Sequence, residues 1–163
     1  MEFLVRKRTR LGKYDYSSSG FYFLTICTKD KKKLLGKIVG DGAHDVPEVV
    51  LSDIGKVVQR YILSSNRIKG VTIDKYVIMP NHIHLLVFVD DITDKNKELT
   101  AENAVIPHVV SIFKRLCSRE IGENIFQRSY HDHIVRNEKD YQRIWTYIET
   151  NPQKWNLDCY YVE

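Results

Sequence analysis

The chain has 163 residues, a mass of 19.2 kDa, 43% hydrophobic residues and 28% charged residues, which suit one globular domain. It contains neither an apolar run long enough to cross a bilayer nor a signal-peptide pattern. The three cysteines are odd in number and far apart, which argues against a disulfide framework or a zinc knuckle, so we expect a protein of the reducing cytoplasm.

The net charge of +4 is unevenly distributed. Up to residue 37 there are ten basic and three acidic residues, an imbalance that suggests a polyanion as partner. A solvated basic surface explains the same charge equally well. We interpret residues 1–20 as a basic arm that leads into the single domain.

The predicted elements follow in the order strand, helix, strand, strand, helix, strand, helix. Residues 21–28 are rich in aromatic and β-branched side chains and predict the first strand, with short strands possible at 37–39 and 49–51. Ser52 is suited to cap a helix whose apolar side chains recur at i, i+3, i+4, i+7 and i+8. Residues 71–79 and 82–89 predict a β-hairpin.

The second half of the chain adds two more helices and one more strand. A polar stretch at 90–103 precedes a helix with one apolar face that contains Ile106 and Phe113. Residues 126–135 predict a strand, and Asn137 is suited to cap a last helix that Pro152 ends. This order predicts an α+β fold, with a ferredoxin-like antiparallel sheet, two helices packed on one face and an additional C-terminal helix.

Two histidines separated by one residue begin the second strand of the hairpin. Because alternate side chains of a strand share a face, His82 and His84 lie side by side while Ile83 packs on the opposite face. Two neutral imidazoles on rigid backbone provide half of a divalent-metal site. Two hydrogen-bonded polar residues near a sheet edge are the alternative.

The last helix contains a tyrosine outside its apolar stripe. Tyr141, Ile144, Trp145 and Ile148 form that stripe, whereas Tyr147 shares a more polar flank with Asn151, which lies one turn later. From the helix alone, an amphipathic packing residue is the more common role of a tyrosine at the border of an apolar face.

The motifs PNHIH, QRSYHDHIVRNEKDY and YIETNP, in this order, resemble those of the REP-associated tyrosine transposases, which belong to the single-tyrosine HUH transposases. The resemblance covers residues 14–155. It implies a DNA transposase in which a tyrosine attacks single-stranded DNA at hairpin sites, forming a 5′-phosphotyrosine and a free 3′-hydroxyl before rejoining. It also implies Mg²⁺ or Mn²⁺ as cofactor, no membrane partner, and a monomer or a homodimer.

By this resemblance, His82 and His84 correspond to the metal ligands and Tyr147 to the nucleophile. Asn151 occupies the position of a third ligand that is Gln in related insertion-sequence enzymes, although we expect Pro152 to push Asn151 away from helical geometry. His131, Asp132 and His133 match a family segment and are expected to support the site by hydrogen bonds. We expect DNA to contact a set of basic residues: Arg6, Lys7, Arg8, Arg10, Lys13, Lys114, Arg115, Arg128 and Arg143.

Two other functions remain open from the sequence. The pairs His82/His84 and His131/His133 could belong to a phosphodiesterase with two HxH motifs, although such enzymes usually have Thr or Ser at the third position. A DNA-binding protein with the same fold and no cleavage activity is the other alternative.

Overall fold

The computed structural model describes residues 18–40, 44–90 and 104–162. Residues 1–17 of the basic arm and residues 91–103 of the polar stretch therefore lie outside the described residues, whereas Gly20 at the end of the predicted arm begins the first strand. The described elements are β1 Gly20–Cys27, β2 Gly36–Val39, β3 Glu48–Leu51, α1 Asp53–Ser64, β4 Val71–Ile78, β5 His82–Val89, α2 Val105–Ile121, β6 His131–Ile134 and α3 Glu138–Thr150. A 3-10 helix, Pro152–Leu157, follows α3.

The main sheet has four strands in the order β4-β5-β1-β6, and every neighbouring pair is antiparallel. This order confirms the predicted ferredoxin-like arrangement. β2 and β3 pair separately as a two-stranded sheet. Since β1 lies between β5 and β6, Thr25 of β1 is directly opposite both His84 and His131.

Helices α1 and α2 cover one face of the main sheet and enclose the larger hydrophobic core. The α1 helix begins where predicted, because the Ser52 hydroxyl accepts a hydrogen bond from the Gly55 amide at 3.0 Å. Gly55 also has a packing role: a Cβ atom at this position would lie 1.9 Å from the carbonyl oxygen of Leu35. The helix can therefore approach the preceding loop only with glycine here.

Helix α3 packs on the opposite face of the sheet. Its buried residues Ile144 and Ile148 form a smaller core with Leu86 of β5. The Tyr141 hydroxyl donates to the carboxylate of Asp74 at 2.7 Å, at the irregularity in the β4–β5 register. The predicted cap is confirmed as well, because the Asn137 side chain accepts from the Asp140 amide. These contacts fix the position of the helix that carries Tyr147.

The predicted strand at 126–135 is too long, since β6 contains only residues 131–134. Phe126 makes an isolated bridge to Thr28, and the chain between this bridge and β6 leaves the sheet. The Lys114 ammonium donates to the carbonyls of Gln127, Arg128 and Ser129 at 2.7, 3.3 and 3.1 Å. These carbonyls therefore accept hydrogen bonds from a side chain of α2 and not from a neighbouring strand. The alternation of residues along the sequence could not indicate this long-range contact.

No described helix combines the length and the apolar character required for a membrane span.

Candidate active site

The two histidines begin β5 immediately after the turn at Pro80 and Asn81. As predicted, Ile83 lies in the larger core, whereas His82 and His84 share the other face of the sheet, where α3 packs. Their relative exposures are 0% and 1%, and their Nε2 atoms are 3.0 Å apart. The strand thus holds two ring nitrogens close together in a buried environment.

The remaining ring nitrogen of each histidine has its own partner. Asn81 donates from its side-chain nitrogen to the carbonyls of Lys31 and Tyr160, so its amide oxygen faces His82 and accepts from Nδ1 at 2.9 Å. His82 therefore presents the lone pair of Nε2. Nδ1 of His84 lies 2.8 Å from the hydroxyl of Thr25, which can donate or accept and so suits either tautomer.

Burial keeps both imidazoles neutral at neutral pH. It lowers the pKa of His82 from the ordinary value of 6.5 to about 4, and the carboxylate of Asp158 offsets this only partly. Burial also lowers the pKa of His84, with the neighbouring His82 adding to the effect. The neutral imidazole is the form that binds metal ions.

Tyr147 of α3 places its hydroxyl beside the histidine pair. Its Oη atom lies 3.3 Å from Nε2 of His84 and 3.4 Å from Oδ2 of Asp158. The ring of Phe23 packs edge-on against it, and the residue remains 37% exposed. Two effects raise the pKa of the Tyr147 phenol: partial burial is the larger, and the negative charge of the nearby Asp158 carboxylate is the second. The phenol is therefore protonated at neutral pH and needs a proton acceptor to act as a nucleophile.

Asn151 reaches the same site, but its backbone differs from the expectation. Its φ and ψ angles are −59° and −43°, so it continues the helical conformation directly before Pro152, which then begins the 3-10 helix. The expectation that Pro152 forces Asn151 out of helical geometry was wrong, because the preference imposed by a following proline is overridden by packing in this buried position. The Asn151 side-chain nitrogen donates to Oδ2 of Asp158 at 3.0 Å.

Asp158 is a site residue that sequence reasoning missed. The 3-10 helix returns the chain across the end of α3, so that the Asp158 side chain is only 1% exposed and its Oδ2 lies 3.8 Å from Nε2 of His82. The amide of Tyr160 donates to its other oxygen at 2.7 Å. Residues 152–162 have no sequence periodicity that could place an aspartate here. His82, His84 and Asp158 bring one potential ligand atom each within 4.8 Å of one another.

The segment His131–His133 lies on β6, and β1 separates this strand from β5, which carries His82 and His84. His133 contacts Oδ2 of Asp140 at 2.7 Å, near the beginning of α3. The ring of His131 is 6.5 Å from that of Tyr160, and Asp132 is opposite Leu24 on β1. Among the described residues, the potential metal ligands that converge are His82, His84 and Asp158, without His131 or His133. This arrangement argues against a phosphodiesterase that uses both pairs.

The predicted DNA-binding residues are placed in different ways. Lys114, Arg115 and Arg128 line an open groove of about 480 Å³ between α2 and the loop before β6. Within it, the Lys114 ammonium already binds three carbonyls. Arg143 is exposed and pairs with Asp140 at 2.6 Å. The five predicted residues of the basic arm lie outside the described residues.

Comparison with known proteins found relatives of the chain. No family model matches the chain. A protein of Haemophilus influenzae that has no assigned function is 34% identical over 175 residues, covering 97% of this chain and 94% of that protein. A REP-associated tyrosine transposase of Escherichia coli K12 is 22% identical over 143 residues, covering 85% of this chain and 70% of the relative.

The fold comparison agrees with the sequence comparison. The solved structure of a REP-associated tyrosine transposase bound to a REP hairpin has a TM-score of 0.63 and 21% identity, covering 89% of this chain and 73% of that one. This similarity shows that the two proteins share a fold. Together with the sequence relative of the same name, it shows that the chain is similar to REP-associated tyrosine transposases in fold and in sequence.

Proposed function

We propose that the protein cleaves and rejoins single-stranded DNA through a covalent bond to Tyr147. The observation that carries this proposal is the position of the Tyr147 hydroxyl, 3.3 Å from Nε2 of His84 in a buried histidine pair. A tyrosine that served only in packing would not require two imidazoles with oriented Nδ1 partners beside its hydroxyl. The similarity to REP-associated tyrosine transposases supports the same reaction class.

The histidine pair has the chemistry expected for a divalent cation. Both imidazoles are neutral, and the lone pair of His82 Nε2 faces the site. Their Nδ1 atoms are held by Asn81 and Thr25, an outer layer of hydrogen bonds that is typical of metal-ligating histidines. We propose Mg²⁺ or Mn²⁺ as the ion. When bound, such an ion would polarise the phosphate and offset its developing charge.

Tyr147 would act as the nucleophile. Its Oη would form a bond to the phosphorus atom while the bond from phosphorus to the 3′ oxygen breaks, leaving a 5′-phosphotyrosine and a 3′-hydroxyl. The phenol proton must leave as the bond forms, and solvent can accept it because Tyr147 remains 37% exposed. Attack by the 3′-hydroxyl of a DNA strand on the phosphotyrosine would reverse these steps and rejoin the chain.

We propose hairpin DNA as the substrate class, because the relative of known structure holds a REP hairpin. The groove between α2 and the loop before β6 offers two exposed guanidinium groups, Arg115 and Arg128, for contacts to phosphates. The N-terminal arm would add further positive charge. Such contacts supply affinity and orientation, whereas the histidine pair and Tyr147 supply the chemistry.

A cleavage assay with parallel binding measurements tests this function. With Mn²⁺ and a single-stranded oligonucleotide that carries a hairpin, His82→Ala should lose cleavage yet bind the oligonucleotide within a few-fold of the unaltered chain. Tyr147→Phe should lose cleavage as well, whereas Tyr161→Phe should retain it. Tyr161 is a matched control because it is also 37% exposed.

The alternatives predict different results in the same assay. If His82→Ala weakens binding as much as cleavage, the histidines are structural. If Tyr147→Phe cleaves normally, the reaction does not use the phenol, as expected of a phosphodiesterase. If the unaltered chain binds hairpin DNA without cleaving it, the protein is a DNA-binding relative that has no nuclease activity.

A further inference from the structure

Building on the proposed function, we propose that Asp158 is the third protein ligand of the divalent cation held by His82 and His84. Asn151, the residue that the family resemblance implies for this role, instead holds the Asp158 carboxylate in position. The third ligand would then come from the segment that follows the 3-10 helix and not from the end of helix α3.

The distances among the three side chains match a shared ion. Two ligand atoms bound at about 2.1–2.3 Å lie about 3 Å apart when adjacent and about 4.4 Å apart when opposite. The two Nε2 atoms are 3.0 Å apart, and Oδ2 of Asp158 is 3.8 Å from Nε2 of His82. All three ligand atoms lie within 4.8 Å of one another. Only small side-chain shifts would bring them to a common centre.

The Asp158 carboxylate is buried without a compensating protein cation. Its side chain is 1% exposed, and its one ion-pair partner in the described part of the chain is His82. His82 directs the lone pair of Nε2 toward this carboxylate, because its Nδ1–H group donates to the amide oxygen of Asn81. Buried carboxylates are normally paired or bound to metal ions. A divalent cation between Asp158 and the two histidines would supply the missing charge.

The side chain of Asn151 faces Asp158 with its nitrogen. This NH₂ group donates to Oδ2 at 3.0 Å, and an amide nitrogen has no lone pair available for a cation. The Tyr160 amide donates to Oδ1 at 2.7 Å, so both carboxylate oxygens are oriented. The amide oxygen of Asn151 is buried and makes no hydrogen bond within the described residues. It is available to a water molecule, several of which Mg²⁺ usually retains.

The ligand set also bears on metal preference. Two imidazoles alone favour softer ions such as Zn²⁺, whereas a carboxylate oxygen favours Mg²⁺ and Mn²⁺. Loss of the Asp158 carboxylate should therefore reduce the affinity for Mn²⁺ more than the affinity for Zn²⁺.

Titration calorimetry with MnCl₂ on the full chain, without DNA, tests the proposal independently of activity. Asp158→Asn should weaken Mn²⁺ binding at least tenfold, as His82→Ala should. Asn151→Ala should weaken it less, as expected of a residue that positions a ligand. Asp53→Asn is the matched control: it removes a carboxylate that is 98% exposed at the start of α1, and Mn²⁺ binding should not change.

A melting curve in EDTA checks that each variant folds, and Asp158→Glu provides a second test. Glutamate keeps the charge, so it should retain more Mn²⁺ affinity than asparagine if the carboxylate binds the ion. Equal Mn²⁺ affinity of Asp158→Asn and the unaltered chain, with binding lost in His82→Ala, would overturn the role of Asp158 and leave the function of Tyr147 and the histidines intact. If the unaltered chain binds no Mn²⁺ at millimolar concentration, the metal requirement of the proposed function fails too.

Discussion

At the scale of single residues, the site depends on histidines that the fold keeps neutral. A strand places the two imidazoles on one face, and burial at 0% and 1% exposure removes the water that would stabilise their charged forms. Asn81 and Thr25 then fix the rings through Nδ1. Neutrality prepares the pair for a metal ion but makes the metal-free protein sensitive to acid.

We predict that the metal-free protein loses stability between pH 6.5 and pH 4. The folded pKa of His82 is about 4 and the ordinary value is 6.5, so the unfolded chain binds more protons in this window. The contribution is fully present above pH 6.5 and is lost as the pH falls toward 4. Melting curves in EDTA at pH 7.5 and pH 5 measure this loss of stability. Each kcal/mol lost from the free energy of unfolding lowers Tm by about 2–4 °C.

The variant His82→Asn is the control for this pH effect. It removes the titrating group, so its Tm should fall less between the same two pH values. An equal fall in both proteins would assign the acid sensitivity to other groups.

At the scale of elements, the loop between the Phe126 bridge and β6 depends on Lys114 of α2. Its ammonium accounts for the three loop carbonyls that leave the sheet. We predict that Lys114→Met lowers the free energy of unfolding by about 1–2 kcal/mol, because these acceptors lose a charged donor. The urea midpoint at unchanged m-value measures this loss.

Arg115→Met provides the comparison on the same helix. Arg115 is exposed, so its replacement should leave the urea midpoint unchanged while weakening DNA binding. If Lys114→Met instead leaves stability unchanged and weakens DNA binding like Arg115→Met, the Lys114 contacts are not structurally important.

The contrast between elements shows what the sequence could predict. The helix capped by Ser52 has a strong periodic pattern and the strand that begins at His82 is a mostly apolar run, and the structure confirms both elements. Residues 127–130 alternate like a strand, but a lysine thirteen or more positions earlier binds their carbonyls. Asp158 lies in irregular chain, where no repeating pattern relates a residue to the sheet face that it reaches. Local patterns define elements well, whereas contacts between distant segments depend on tertiary packing.

At the scale of the whole molecule, topology brings the site together from the middle and the end of the chain. The sheet order puts β5 beside β1, and α3 crosses the same face before the chain returns with Asp158. The five predicted DNA-binding residues of the basic arm lie outside the described residues. We expect the arm to position DNA and to take no part in chemistry.

Deleting residues 6–13 should therefore weaken DNA binding and flatten its salt dependence. Each lost phosphate contact removes about 0.7–0.9 from the slope of log affinity against log salt. Cleavage at saturating DNA should fall little, since His82, His84 and Tyr147 lie elsewhere. Binding at two salt concentrations, together with a melting curve, measures the effect. An unchanged slope with a lowered Tm would mean that the arm supports the fold instead.

The central claim is the covalent bond to Tyr147, and peptide mapping by mass spectrometry tests it most directly. The chain is incubated with Mn²⁺ and a single-stranded hairpin oligonucleotide, denatured and digested. We predict a nucleotide adduct on the peptide that contains Tyr147, absent in Tyr147→Phe and present in Tyr141→Phe. An adduct on any other tyrosine, or cleavage without an adduct, would contradict the account.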